Sequence, residues 1–97
     1  MDEVIYLNNL YDCYKDLLTD KQREYFSDYY QDNLSLSEIG ENDSKSRNAI
    51  HKCIKSSSLK LYEYEDKLGL YEKSKKLDGI INKIDDENIR NLLKELL

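Results

Sequence analysis

Lys45, Ser46, Arg47, Asn48, His51, Lys52 and Lys55 are the residues of this chain whose types and spacing suit chemistry. That chemistry is contact rather than catalysis. Arginine can fork onto guanine, asparagine can pair with adenine, and lysine meets phosphate. Lys45 and the Ser46 hydroxyl stand at a helix start, where free backbone N–H groups also favour phosphate. Plotted at about 100° per residue, Ala49, Ile50, Cys53 and Ser57 share one side of the helix, with Ile54 at its margin. Arg47, Asn48, His51, Lys52 and Lys55 fall opposite, so one face can pack while the other stays cationic. A solvated helix face is the competing explanation, because charge runs are common on exposed helices.

Catalytic and metal chemistry find less support. His51 is the sole histidine, and Cys53 lies two positions from it. On a helix the two point about 200° apart, so they form neither a dyad nor a shared metal site. Cys13 is remote in sequence, and no Gly-rich phosphate loop is present. Paired acids such as Asp85-Asp86 and Glu65-Asp66 read as caps or solvated surface. The residues therefore predict no enzyme, no catalytic residues, no metal and no cofactor.

The charge distribution sharpens the expectation for residues 44–61. The formal net charge is −5 over 97 residues, split as −8 for residues 1–43, +5 for 44–61 and −2 for 62–97. Phosphate affinity comes largely from Lys and Arg releasing counterions, so an acidic chain binds nucleic acid only locally. No acid interrupts residues 44–61. There is no signal-peptide pattern and no apolar run of the ~20 residues a membrane span requires. A cytoplasmic protein with reduced thiols and no membrane contact is expected.

Helices must position these residues. With no proline and three glycines, the composition points to an all-α fold. A first helix fits residues 3–17, where Leu7, Leu10, Tyr14 and Leu17 form a stripe. Thr19 caps a second, from about 20 to 32, whose Tyr25, Phe26, Tyr29 and Tyr30 read as core rather than as a base-stacking surface. Ser35 and Glu38 make a capping box, with Leu34 and Ile39 as a staple, for a short third helix. Ser46 caps a long fourth helix to about residue 67, continued by Leu59, Leu61, Tyr62 and Leu68. Gly69 ends it. Further helices fit about 70–83 and 86–97, the last capped by Asp85, stapled by Ile84 and Ile89, and apolar at Ile89, Leu92, Leu93, Leu96 and Leu97. Two capped starts about eleven residues apart, at Ser35 and Ser46, are the layout of a helix-turn-helix, whose second helix usually meets nucleic acid. The expectation is a single helical domain over 1–97. It has a three- to four-helix core, a helix-turn-helix at about 35–60 and a C-terminal helical extension at about 68–97.

Three blocks then carry a resemblance. They are Leu18-Thr-Asp-Lys-Gln-Arg-Glu-Tyr25 with Tyr29-Tyr30; Leu34-Ser-Leu-Ser-Glu-Ile39 with Ser46-Arg-Asn-Ala-Ile50; and Tyr64-Glu-Asp-Lys-Leu-Gly-Leu-Tyr-Glu-Lys73. Together they are similar to the YlxM helix-turn-helix family, encoded in bacteria beside signal recognition particle genes. The first two blocks also resemble region 4 of sigma factors, and the third is the specific one. The resemblance implies a sigma-region-4-like helix-turn-helix with extra C-terminal helices. It also implies a regulatory role in the signal recognition particle pathway, inferred for the family from gene neighbourhood. The expected partner is a protein or RNA component of that particle; duplex DNA and a second copy of the chain are the alternatives. Members of that family usually carry alanine where Gly40 stands and an apolar residue where Asp43 and Lys45 stand. These departures predict a looser turn, with Gly40 costing its helix up to ~1 kcal/mol and Asp43 placing negative charge near the DNA-facing edge.

Overall fold

The computed structural model describes residues 2–97, and the fold is all-α. The helices are α1 (Glu3–Tyr14), α2 (Asp20–Tyr30), α3 (Leu36–Asn42), α4 (Arg47–Leu68), α5 (Leu70–Ile81) and α6 (Glu87–Lys94), with a 3₁₀ turn over Lys15–Leu17 after α1. Side-chain caps start most of them. Asp2 accepts from the Val4 amide, and Thr19 and Ser35 each form a reciprocal capping box with Gln22 and Glu38. These are local hydrogen bonds, each satisfying an otherwise unpaired amide of a first turn. Leu34 and Ile39 meet in one apolar cluster, as the staple requires.

Helix α4 is the hub, packing against α1, α2 and α3. Two apolar clusters lie along it. The first joins Leu7, Leu10, Tyr11, Tyr14, Leu18, Phe26 and Leu61; the second joins Tyr25, Leu36, Ile39, Ile50 and Ile54. The aromatic face of α2 feeds both, with Phe26 stacked on Tyr11 at 4.7 Å between ring centroids. Helix α5 leaves this core, packs on α1, and carries α6. The Cα radius of gyration is 16.8 Å, with extents of 54 × 25 × 25 Å. A compact domain of this length would have a radius near ~12–13 Å, so the C-terminal helices lengthen the molecule rather than thicken it.

Several expected positions shift. The first helix ends at Tyr14, not near 17, and Leu18 is buried while Leu17 is exposed. The 3₁₀ turn supplies the reason: its tighter winding brings the next leucine to the core. The last helix is capped by Asp86, whose carboxylate accepts from the Ile89 amide at 3.1 Å, and not by Asp85. That register places Ile84 two positions ahead of the cap, one too far for a staple with Ile89. That helix ends at Lys94 rather than 97, and its apolar face is unburied, with Ile89 48% and Leu92 64% exposed. No helix among the described residues is long and apolar enough to cross a membrane.

Candidate nucleic-acid and partner interface

The turn between α3 and α4 sets the angle of the basic helix. Ser44 adopts a left-handed conformation (φ 54°), and the Lys45 amide donates to the Gly40 carbonyl at 2.8 Å. The Ser44 amide donates to the Glu41 carbonyl at 3.4 Å, completing a Schellman ending for α3. The chain then folds back so closely that a Cβ on residue 40 would stand 2.5 Å from the Lys45 carbonyl oxygen. Gly40 is therefore what lets the turn close, and the expected loosening does not occur. Asp43 is also not a stray charge at a DNA-facing edge. Its carboxylate accepts from the Tyr25 hydroxyl, and it pairs with Lys21 Nζ at 3.1 Å. Polar bonds to α2 replace the apolar plugs that the family resemblance led one to expect. The same bonds hold the Asp43 carboxyl below its usual range, through Tyr25 first and Lys21 second. The bond to Asp43, with burial, pushes the Tyr25 hydroxyl up to about 12.

Helix α4 begins at this turn, and the Ser46 hydroxyl accepts from the Ala49 amide at 3.1 Å. Its buried residues are Ile50, Ile54, Ser57 and Leu61. Ser57 is satisfied in the core by donating to the Cys53 carbonyl at 2.8 Å. Ala49 is exposed, and Leu59 and Leu68 are exposed rather than packed. The buried stripe is thus rotated by about 50° from the wheel drawn on sequence. Contact with α1 explains the rotation: Leu61 joins the cluster of Leu7 and Leu10 and draws the stripe toward that side.

The rotation divides the candidate set. Asn48 and Lys52 lie opposite the buried stripe and face outward. Arg47 and His51 lie to one side and line a groove, and Lys55 belongs to both strips. All of Lys45, Ser46, Arg47, Asn48, His51, Lys52 and Lys55 are exposed. Among the described residues, none of the cations in this set forms an ion pair; the pairs present involve Lys21, Arg23, Lys67 and Lys76. The acids of α2 and α3 leave the basic face unneutralised by direct contact.

Two features escaped sequence reasoning. One is the groove wall opposite Arg47 and His51, made by Val4, Tyr29 and Leu36. The other is the joint between α4 and α5. Gly69 there is left-handed (φ 62°) and offers no side chain to cap α5. Glu65, one turn back in α4, does so instead, accepting from the amides of Tyr71 (3.0 Å) and Glu72 (3.1 Å) and from the Tyr14 hydroxyl (2.6 Å). The Tyr14 oxygen in turn accepts from the Leu70 amide at 3.0 Å, and the Lys73 amide donates to the Gly69 carbonyl at 3.0 Å. All four first-turn amides of α5 are satisfied. Burial pushes the Glu65 carboxyl up, but Tyr14 and the two amides outweigh it and hold it below its usual value. Burial, then the bond to Glu65, pushes Tyr14 up to about 12. The third resemblance block is thus a hinge clamp. Sequence carried no signal for it, because Glu65 stands outside any N-cap position and Tyr14 is distant along the chain.

A capped short helix, a closed turn and a long second helix with an unpaired cationic face define a helix-turn-helix protein. The comparisons agree. The chain belongs to the UPF0122 family, described as "Putative helix-turn-helix protein, YlxM / p13 like", which matches residues 1–96. It is 39% identical over 101 residues to a UPF0122 protein of Fusobacterium nucleatum, covering 100% of this chain and 98% of the relative. It is 43% identical over 84 residues to one of Halalkalibacterium halodurans, covering 87% of this chain and 77% of the relative. It is 46% identical over 89 residues to one of Clostridium kluyveri, covering 88% of this chain and 80% of the relative.

Proposed function

We propose that this protein is a non-enzymatic regulator of the signal recognition particle pathway, engaging a protein or RNA component of the particle through the basic face of α4. The observation that carries this reading is the unpaired cationic surface of Lys45, Arg47, Lys52 and Lys55, with His51 beside them, on an otherwise acidic chain. Membership of the YlxM-like family supports the pathway. The test is retention of purified particle protein or particle RNA on the immobilised chain. Lys52→Glu with Lys55→Glu is expected to reduce retention at least tenfold. No retention of either component at micromolar concentration refutes the reading.

A second reading, duplex DNA binding, is favoured by one observation. The closed turn at Gly40 and Asp43 presents α4 at a defined angle, as groove reading requires. It predicts that Arg47→Ala and Asn48→Ala relax sequence preference, while Lys52→Ala and Lys55→Ala each reduce the salt slope by about one. An absence of duplex binding at low salt removes it. Self-association is a separate proposal, supported by the exposed apolar face of α6. A monomer by ultracentrifugation at high micromolar concentration removes that one.

A further inference from the structure

The groove beside α4 has its own chemistry, distinct from the outward face. Two adjoining hollows of 590 and 380 Å³ share Val4, Tyr29, Tyr30 and Leu36 as their floor and walls. Arg47 borders the first hollow, and His51 and Lys55 border the second. These three follow one another at four-residue steps, so their Cα atoms rise by about 6 Å each along the helix. Side chains on one face of an extended peptide repeat at about 6.6 Å. The two spacings agree closely enough for alternate side chains of an extended peptide to meet Arg47, His51 and Lys55 in turn.

Charge complementarity decides the occupant. Glu3 and Glu38 also border the groove, but they belong to α1 and α3 rather than to α4, and each is held in place by a hydrogen bond from a neutral donor. Glu3 accepts from the Tyr62 hydroxyl, and Glu38 accepts from the Ser35 amide at 3.1 Å. Arg47, His51 and Lys55 have no acidic partner among the described residues. The α4 edge is therefore cationic at Arg47 and Lys55, above an apolar and aromatic floor, while the two carboxylates belong to the other elements of the groove. A nucleic-acid strand carries a phosphate at every residue and would bring some of them to Glu3 and Glu38. A peptide that alternates acid with apolar side chains need not, since its apolar face can cover the floor.

We propose that this groove binds an extended acidic peptide segment, with carboxylates on Arg47 and Lys55, a hydrogen bond from the His51 ring between them, and apolar side chains against Val4, Tyr29 and Leu36. Successive side chains of an extended peptide point to opposite sides, so one set can meet α4 while the other meets the apolar wall. The groove shares its basic edge with the surface assigned above, so the inference rests on α4 being a contact surface, and it names a partner chemistry for that surface.

The experiment is an amide-shift titration of the isotope-labelled full chain with the synthetic peptide Asp-Leu-Asp-Phe-Asp-Leu. Saturable shifts centred on Tyr29, Leu36, Arg47, His51 and Lys55 are expected. Arg47→Glu with Lys55→Glu should weaken binding at least tenfold, while Lys83→Glu with Lys94→Glu, the same charge change at remote exposed sites, should leave it within twofold. The peptide Lys-Leu-Lys-Phe-Lys-Leu requires no protein variant and should bind at least tenfold more weakly. Equal binding of the two peptides overturns the inference. So does an octauridine strand that shifts the groove amides where the acidic peptide does not, or the appearance of the same shifts on concentrating the protein alone. Retention of a particle component without peptide binding overturns the groove assignment only; peptide binding without such retention overturns the pathway reading only.

Discussion

The two ends of α4 are built on opposite principles. At its N-terminal end, α3, the turn and α2 enclose it: Ile39 and Ile50 are essentially inaccessible, Gly40 permits close backbone contact, and Asp43 ties the turn to Tyr25 and Lys21. At its C-terminal end the chain leaves the core through a single polar clamp at Glu65, and α6 buries none of its residues. The first end presents a charged face at a defined angle. The second presents apolar surface on an arm that is further held where α5 packs on α1. An enclosed recognition element is thus joined to an extension held by the Glu65 clamp and by a few packed side chains of α5, among them Tyr71 and Ile81.

Substitutions of matched kind should expose this contrast. Ile50→Ala, in the enclosed end, is expected to cost about 3 kcal/mol of unfolding free energy in urea titration. Gly40→Ala should cost about 2 kcal/mol, because the contacted atom is backbone and cannot rotate away. In the same variant the amide shifts of α4 should move more than those of α5.

Glu65→Ala should cost about 1–2 kcal/mol, through the loss of charged hydrogen bonds. Its hydrogen-exchange protection should fall in α5 and α6 and hold in α3. The pH dependence follows from the lowered Glu65 pKa. A carboxyl held lower in the folded state than in the unfolded chain contributes stability above the unfolded value and loses it as pH falls through the folded one. The urea midpoint should therefore drop as pH is lowered from 5 toward about 3, below the ordinary carboxylate range. That drop should be smaller in Glu65→Gln; an identical drop would show that the clamp does not set the acid sensitivity.

Ser44→Gly is expected to stabilise by up to about 1 kcal/mol, since a left-handed residue with a Cβ is strained. Leu92→Ser should change stability by less than about 0.5 kcal/mol in the monomer. A larger, concentration-dependent loss would mean that a second copy covers α6.

Legibility in the sequence followed the range of the interactions. The caps at Thr19, Ser35 and Ser46 were readable because each bond spans three residues and depends on residue type alone. The cationic set was readable because charge is a property of composition. The Asp86 cap was missed by one residue, since adjacent aspartates offer the same chemistry and only backbone geometry chooses between them. Gly40 was misread because propensity counts its cost within α3 and knows nothing of the Lys45 carbonyl.

By itself, the sequence determined an all-α chain, a helix-turn-helix and a basic second helix in an acidic protein, because capping, periodicity and charge act over a few residues. Tertiary structure decided the rest. It rotated the buried stripe of α4 toward α1, so that Arg47 and His51 border a groove while Asn48 and Lys52 face outward. It brought Glu65 to Tyr14 and to the start of α5, and Asp43 to Tyr25. Those contacts join residues far apart along the chain, and only packing brings them within hydrogen-bond reach.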